Sequence, residues 1–127
     1  MTTDRILVDT CIWVDHLGRG DEQMAALLDQ ERVVIHSFII GEIALGSLAD
    51  RDDLVSDLYR LPTVIHLSDV EVIGAVEHQR LFGTGIGFVD AHLAMSTLVT
   101  PDLTLWTRDK KLLRVAERLG IAAKLTN

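Results

Sequence analysis

Short runs of β-branched residues alternate with longer stretches of helical period, and this pattern limits the possible folds most strongly. The candidate strands are residues 6–8, 33–36, 63–66, 104–106 and 123–125. None of them shows the alternation of polar and apolar residues that marks a sheet with one face in water. The sequence therefore predicts an α/β fold in which helices cover both faces of a central, mostly parallel sheet.

The stretches between these strands carry signals of helix starts and of amphipathic helices. Ser68 and Glu71 have the spacing of a capping box and predict a helix over residues 69–82. A second apolar stripe at helical spacing follows Asp109 and consists of Leu112, Val115, Ala116 and Leu119. In open parallel sheets, ligands bind outside the carboxyl ends of the strands, so a site is expected at that edge.

Size and composition indicate a single domain spanning residues 1–127. The chain has 127 residues, of which 48% are hydrophobic, enough to fill a core without disulfides. Its one cysteine, Cys11, cannot form an internal disulfide, which suits a reducing compartment. No apolar stretch reaches the roughly 18 residues of a membrane span, and no signal-peptide core is visible. We therefore expect a cytoplasmic protein.

The charge distribution leaves two interpretations open. The formal charge is −7, which argues against a protein that coats nucleic acid through its overall charge. Residues 108–120 nevertheless contain five basic and two acidic side chains, a local charge of +3. This segment is either an edge that contacts phosphates or a helix with a solvated basic face.

Four carboxylates stand out from the rest of the chain. Asp9 directly follows the first strand, and Asp109 follows the strand at 104–106 by three residues. Asp90 and Glu42 lie among apolar neighbours, where ionised groups are rarely placed without a partner. Each aspartate also stands near a predicted helix start, so each has an alternative interpretation as an N-cap. The alternatives for Glu42 are a buried ion pair or an exposed position.

Carboxylates that converge on one edge of a sheet repel one another unless some are protonated or a cation neutralises them. A metal is the simpler solution. Oxygen ligands without cysteine or clustered histidine favour Mg²⁺ or Mn²⁺, which would keep water and phosphate oxygens in their other positions. This arrangement suits phosphodiester hydrolysis.

The acidic segments, in order and spacing, resemble the four motifs of PIN-domain nucleases. They are Val8-Asp9-Thr10, Gly41-Glu42, Val89-Asp90-Ala91-His92-Leu93-Ala94 and Thr107-Arg108-Asp109. The small size and the run from Trp106 to Leu112 are similar to VapC toxins of type II toxin–antitoxin modules. The resemblance implies a three-layer α/β/α fold with a mostly parallel sheet of four to five short strands. It also implies a Mg²⁺- or Mn²⁺-dependent endoribonuclease that forms a homodimer and binds a VapB-type antitoxin.

The resemblance also implies roles for individual residues. The acidic site would consist of Asp9, Glu42, Asp90 and Asp109. Asp9 and Asp90 would be the direct metal ligands, while Asp109 and Glu42 complete or orient the metal's surroundings. Thr10 and Thr107 match the hydroxyl positions beside the site, and the candidates for contact with RNA phosphate are Arg108, Lys110 and Lys111. Ala94 stands where some relatives carry an additional acidic residue.

The five histidines are dispersed and lack the spacing of a zinc site. We expect His36 and His66 to end strands, and His92 to lie on the side of its helix away from Asp90.

Three other functions fit parts of the pattern. A phospho-acceptor receiver-like domain has a similar size and parallel βα architecture, but it predicts an acidic pair after the first strand, where Asp9 is followed by Thr10 and Cys11. A haloacid-dehalogenase-type phosphatase would need a second aspartate at position 11. A non-enzymatic metal-binding interaction module also remains open, because a sequence does not show that the carboxylates meet in space.

Overall fold

A three-stranded parallel sheet forms the centre of the computed structural model, which describes residues 4–125. The strands are β1 (Arg5–Val8), β2 (Val33–Val34) and β3 (Leu103–Trp106), in the spatial order β2-β1-β3. β1 pairs with both neighbours, with Leu7 opposite Val34 on one side and Leu105 on the other. The α/β fold with a parallel sheet is therefore confirmed.

The sheet is narrower than predicted. The segment expected as a strand at 63–66 pairs with the sheet through a single bridge, Ile35 with Thr63. A second single bridge, Leu105 with Ala122, lies directly before the strand expected at 123–125. The prediction of four to five strands was wrong, since residues 4–125 contain three. Pro62 precedes the first bridge and has no N–H to extend a ladder. The second bridge follows the last helix after a single turn.

Seven helices surround the sheet within the described residues. They are α1 (Thr10–Arg19), α2 (Glu22–Asp29), α3 (Ser37–Ala44), α4 (Arg51–Leu58), α5 (Asp69–Gln79), α6 (Phe88–Val99) and α7 (Lys110–Arg118). α6 packs on β3, and α5 and α7 pack on α6. Because β2 and β3 lie on opposite sides of β1, the crossover that contains α1 and α2 and the one that contains α3 to α6 run in opposite directions across the sheet. No helix in residues 4–125 is long and apolar enough to cross a membrane.

The predicted capping box opens α5. The Glu71 N–H donates to Ser68 Oγ at 3.2 Å, and the Ser68 N–H donates to Glu71 Oε1 at 3.0 Å. The helix ends at Gln79 rather than at residue 82, because Arg80 takes a left-handed conformation with φ of 55°. Arg118 satisfies the carbonyls that this ending frees, since its Nη2 donates to the oxygens of Gln79 and Arg80.

Three histidines that are far apart in sequence form one cluster with a phenylalanine. The rings of His36, His66 and His92 pack against one another and against Phe38, with centroids 4.7 to 6.1 Å apart. His36 follows β2, as expected, but it also caps α3, because its Nδ1 accepts the N–H of Phe38 at 3.0 Å. His92 is fully buried, and its Nε2 lies 2.9 Å from an oxygen of Asp69.

We expect stability to fall in acid because of His36. Burial, and then the neighbouring His66 and His92, lower the pKa of His36 to about 4 from 6.5. Below pH 6.5 the unfolded chain binds this proton and the folded chain does not. The free energy of unfolding should therefore drop by about 3 kcal/mol between about pH 6.5 and 4 from this group alone. Urea unfolding as a function of pH measures the drop.

His36→Asn is the matched control for this prediction, because asparagine keeps a side-chain acceptor for the helix cap but does not titrate. Its unfolding free energy should depend less steeply on pH, by about one proton. Equal slopes in both proteins would contradict the role of His36.

Candidate active site

Four acidic side chains meet at the carboxyl edge of the sheet. Asp9 follows β1 and caps α1, and Asp109 follows β3 and caps α7. Glu42 lies in α3, after β2, and Asp90 lies in the first turn of α6. Asp90 is close enough to the other three for each of their charges to raise its pKa. The structure therefore brings together all four acidic residues selected from the sequence.

Asp9 is the best-fixed member of this group. It is 8% exposed, and its Oδ1 accepts the N–H of Thr10 at 2.8 Å. Its Oδ2 accepts the hydroxyl of the fully buried Thr107 at 2.7 Å, and the same hydroxyl oxygen accepts the N–H of Asp109 at 3.1 Å. Thr107 thus links the carboxylate after β1 to the loop after β3.

Asp90 is partly buried, and its carboxylate lies close to the negative charges of the other three. Burial raises the pKa of Asp90, and the charges of the other three carboxylates, Asp9, Asp109 and Glu42, raise it further. The N–H of Gly87, 3.1 Å from Oδ2, partly opposes this rise. A positive charge beside Asp90 would therefore favour its ionised form.

Glu42 and Asp109 are exposed, and each is held through one oxygen. The Thr10 hydroxyl donates to Glu42 Oε1 at 2.8 Å. Asp109 Oδ1 accepts the N–H groups of Lys111 and Leu112 at 2.9 and 3.0 Å. Asp109 therefore is an N-cap, as its alternative interpretation predicted, and still has a second oxygen that the cap does not use.

The donor set fits a hard divalent cation. In the described part of the chain no protein group donates a hydrogen bond to Glu42 Oε2, Asp90 Oδ1 or Asp109 Oδ2, so three carboxylates each keep one oxygen for a ligand. No group of three or more acidic, histidine or cysteine side chains in residues 4–125 is already spaced to hold a metal. Free carboxylate oxygens are nevertheless the donors that hard divalent cations accept, and such cations keep water in their other coordination positions.

Cys11 lies beside this site. Its Sγ is 3.7 Å from Asp9 Oδ2. Desolvation raises the pKa of the Cys11 thiol, and the charge of Asp9 raises it further. The thiol is therefore protonated at neutral pH and adds no charge to the carboxylates.

Arg108 forms ion pairs with two carboxylates. Its Nη1 donates to Asp15 Oδ2 at 2.8 Å, and its Nη2 donates to Asp21 Oδ2 at 2.6 Å. The hydrogen bond to Asp21 is the main cause that raises the pKa of Arg108, and the same bond lowers the pKa of Asp21. Both carboxylates neutralise the guanidinium, and these contacts do not favour the predicted role of Arg108 in RNA binding. Arg108 instead joins the loop after β3 to α1 and to the start of α2.

Lys110 and Lys111 are both exposed at the start of α7, and neither forms an ion pair with the residues described. Lys111 lies along the loop at 83–87, because a Cβ on Gly85 would be 3.0 Å from its Cδ. No sequence pattern pairs Lys111 with this loop, since the two are separated by more than a helix.

Comparison with known proteins agrees with the geometry. A family model described as PIN domain matches residues 6–118. Ribonuclease VapC32 of Mycobacterium tuberculosis, from strains CDC 1551 / Oshkosh and ATCC 25618 / H37Rv, is 41% identical over 120 residues, which cover 92% of this chain and 94% of VapC32.

One solved structure supports the fold. The crystal structure of PAE2754 from Pyrobaculum aerophilum superimposes with a TM-score of 0.58 at 18% identity, covering 92% of this chain and 96% of that one. At this identity the likeness concerns the fold alone. The resemblance seen in the acidic motifs is therefore confirmed by the family model and by VapC32. The chain belongs to the PIN domain family, as a relative of the VapC ribonucleases.

Proposed function

We propose that this protein is a metal-dependent endoribonuclease that acts as the toxin of a toxin–antitoxin module. The observation that carries the proposal is the convergence of three carboxylates on Asp90, which together with burial raise its pKa. A site that gathers this much negative charge at a sheet edge binds cations, and a cation there can accept the phosphate of a nucleic acid. The relationship to VapC32, named a ribonuclease, supports RNA as the substrate.

The acidic residues have different parts in this proposal. Asp9 and Asp90 would hold the ion directly, and Glu42 and Asp109 would complete or orient its surroundings. Mg²⁺ or Mn²⁺ bound there would activate a water for attack on the phosphodiester and would offset negative charge on the leaving oxygen. Thr107 and Thr10 fix Asp9 and Glu42 through hydrogen bonds of 2.7 and 2.8 Å. Such support keeps ligand oxygens in place and raises metal affinity.

The partners are proposals of the same kind. We place RNA in the active site, and we expect a VapB-type antitoxin to inhibit the nuclease, a partner that the resemblance to VapC toxins implies. We also propose a homodimer of single-domain subunits in the cytoplasm. The exposed apolar side chains of α5, among them Val70 at 79% and Ile73 at 55% exposure, are compatible with a subunit contact.

Membership of the PIN domain family argues against the receiver-like alternative. The residues after β1 do not favour that alternative either, because Asp9 is followed by Thr10 and Cys11 rather than by a second acidic residue. The interaction-module alternative predicts metal binding without turnover, and an assay of turnover distinguishes it.

We expect purified protein to cut end-labelled total RNA in Mg²⁺ or Mn²⁺ and to lose this activity in EDTA. Asp90→Asn, purified identically, controls for contaminating ribonuclease. Metal-dependent cleavage by the wild type alone would establish the reaction class. Tight Mn²⁺ binding in calorimetry with no cleavage of total RNA, and no growth arrest on expression, would instead support the interaction module.

A further inference from the structure

A basic groove runs between the loop at 83–87 and α7. It is lined by Gly83, Thr84, Lys111, Arg114, Val115 and Arg118 and has a volume of about 310 Å³. Arg118 is held in place by hydrogen bonds to the carbonyls of Gln79 and Arg80, while Lys111 and Arg114 are exposed. The groove therefore presents cations on both fixed and adaptable side chains.

The positive charge of this groove is not neutralised locally. None of its lining residues is acidic, and none of its three cations takes part in the ion pairs found among residues 4–125. The chain as a whole has the opposite character, since it carries a net charge of −7. Three such cations around one groove of an acidic protein indicate an anionic ligand.

The groove is continuous with the carboxylates through Lys111 and Gly85. The backbone N–H of Lys111 donates to Asp109, and the Lys111 Nζ lies 3.4 Å from where a Cβ on Gly85 would be. Gly85 has φ of +87°, and the loop that contains it leads to Gly87, whose N–H donates to Asp90. The two walls of the groove thus end at two of the four acidic residues.

We propose that this groove, hereafter the α7 groove, binds backbone phosphates of the RNA strand next to the bond that is cut. The inference rests on the proposed function. The acidic residues repel the strand on which they act, so the free energy of binding has to come from cations beside them. Lys111 and Arg114 are the side chains that hold these phosphates, and Arg118 fixes the far end of the groove. Arg108, paired with two aspartates, has no part in this contact.

An acidic protein segment is the other anion that such a groove accepts, and the position of the groove favours RNA over it. An RNA strand with a phosphate at Asp90 passes the loop at 83–87, whose Gly87 contacts Asp90. The same loop forms one wall of the α7 groove. The phosphates of a nucleic acid also repeat along the strand, which matches cations spread along one face of a helix.

The test measures binding of a short fluorescent single-stranded RNA in EDTA, where no cleavage occurs, over a range of NaCl concentrations. The variant is Lys111→Ala/Arg114→Ala, since both side chains are exposed and their removal leaves the core intact. We expect affinity to fall by roughly two- to fivefold per side chain. The slope of log affinity against log salt should become shallower by about 0.7 for each phosphate that the variant no longer neutralises.

Arg60→Ala is the matched control. It removes one cation from the other end of the sheet, where Arg60 lies near Arg5 at the start of β1 and, among residues 4–125, forms an ion pair only with the exposed Asp57. Its RNA affinity and salt slope should equal those of the wild type. Thermal unfolding of all three proteins verifies that they are folded.

Two results would contradict the proposal that the α7 groove binds RNA phosphates. One is unchanged RNA affinity and salt slope in the double variant. The other is a double variant that no longer binds poly-glutamate, used as a second probe, but still binds RNA. That result would assign the groove to an acidic protein partner. Both concern binding without metal, so they are separate from the proposed function, which fails only if metal-dependent cleavage is absent.

Discussion

Asp90→Asn should reduce RNA cleavage by about a thousandfold or more while the protein stays folded. The carboxamide is nearly isosteric and its oxygen can still accept the N–H of Gly87, which lies 3.1 Å from the carboxylate in the wild type. It lacks the charge that attracts a divalent cation. We therefore expect Mn²⁺ binding, measured by calorimetry, to be lost together with cleavage.

The same substitution should stabilise the metal-free protein at neutral pH. The pKa of Asp90 is raised by burial and by its acidic neighbours, so the folded state disfavours the ionised form. For Asp90 alone, the contribution to stability falls as the pH rises above an ordinary carboxyl pKa, because the unfolded chain has already lost this proton. This contribution opposes the rise that His36 produces, so it is measured as a difference between two proteins. In urea unfolding with EDTA, the unfolding free energy of Asp90→Asn minus that of the wild type should grow as the pH rises.

Asp53→Asn provides the control, since it removes an exposed carboxylate of α4 far along the chain from Asp90. It should leave cleavage, Mn²⁺ affinity and stability unchanged. Full activity of Asp90→Asn, or loss of its cooperative thermal transition, would refute the role assigned to Asp90.

Arg108→Met should lower the free energy of unfolding by about 3 kcal/mol, the second large effect that we expect. The arginine side chain is 21% exposed and pairs with Asp15 and Asp21, which are 35% and 16% exposed. Removing the guanidinium leaves Asp21 without its cation and leaves Asp15 with only the exposed Arg19, whose Nη2 is 3.7 Å away. Urea titration measures the loss, which corresponds to a drop in Tm of roughly 10 °C for a chain of this size.

A double-mutant cycle assigns this loss to the ion pairs. Asp21→Asn in the Arg108→Met background should cost less than Asp21→Asn alone, because its partner is already missing. Arg108→Lys should recover part of the stability, since a lysine reaches one of the two carboxylates. If Arg108→Met were as stable as the wild type but bound RNA weakly, Arg108 would be a phosphate contact after all, as its position in the sequence first suggested.

The acidic residues could be selected from the sequence because the carboxyl ends of parallel strands lie at the same edge of a sheet. Residues that directly follow such strands therefore come close together. Asp9 and Asp109 each follow a buried strand, and the carboxyl ends of β1 and β3 lie side by side. Glu42 stands out because it is a charged residue in an apolar helix. The α/β fold followed from the same alternation of strands and helices, although the single-residue bridges at the sheet edges were predicted as strands.

The contacts that the sequence did not show are those between side chains distant along the chain. Arg108 lies beside Asp109 in sequence, but its partners are 87 and 93 residues away. The histidine cluster likewise gathers residues from three separate segments, and their sequence spacing is not that of a metal site. Local patterns report helix faces and caps, whereas such long-range pairs depend on how the crossovers are arranged.

The hydrogen bond from Thr107 to Asp9 joins residues that are 98 positions apart in sequence. This separation determines when, during synthesis, the nuclease site can form. During synthesis, Asp9, Glu42 and Asp90 emerge from the ribosome before β3 and Asp109. Contacts so far apart form late in folding. A nascent or prematurely terminated chain lacks the fourth carboxylate and the hydroxyl that fixes the first. The nuclease site is therefore incomplete until the segment that carries Thr107 and Asp109 has been synthesised.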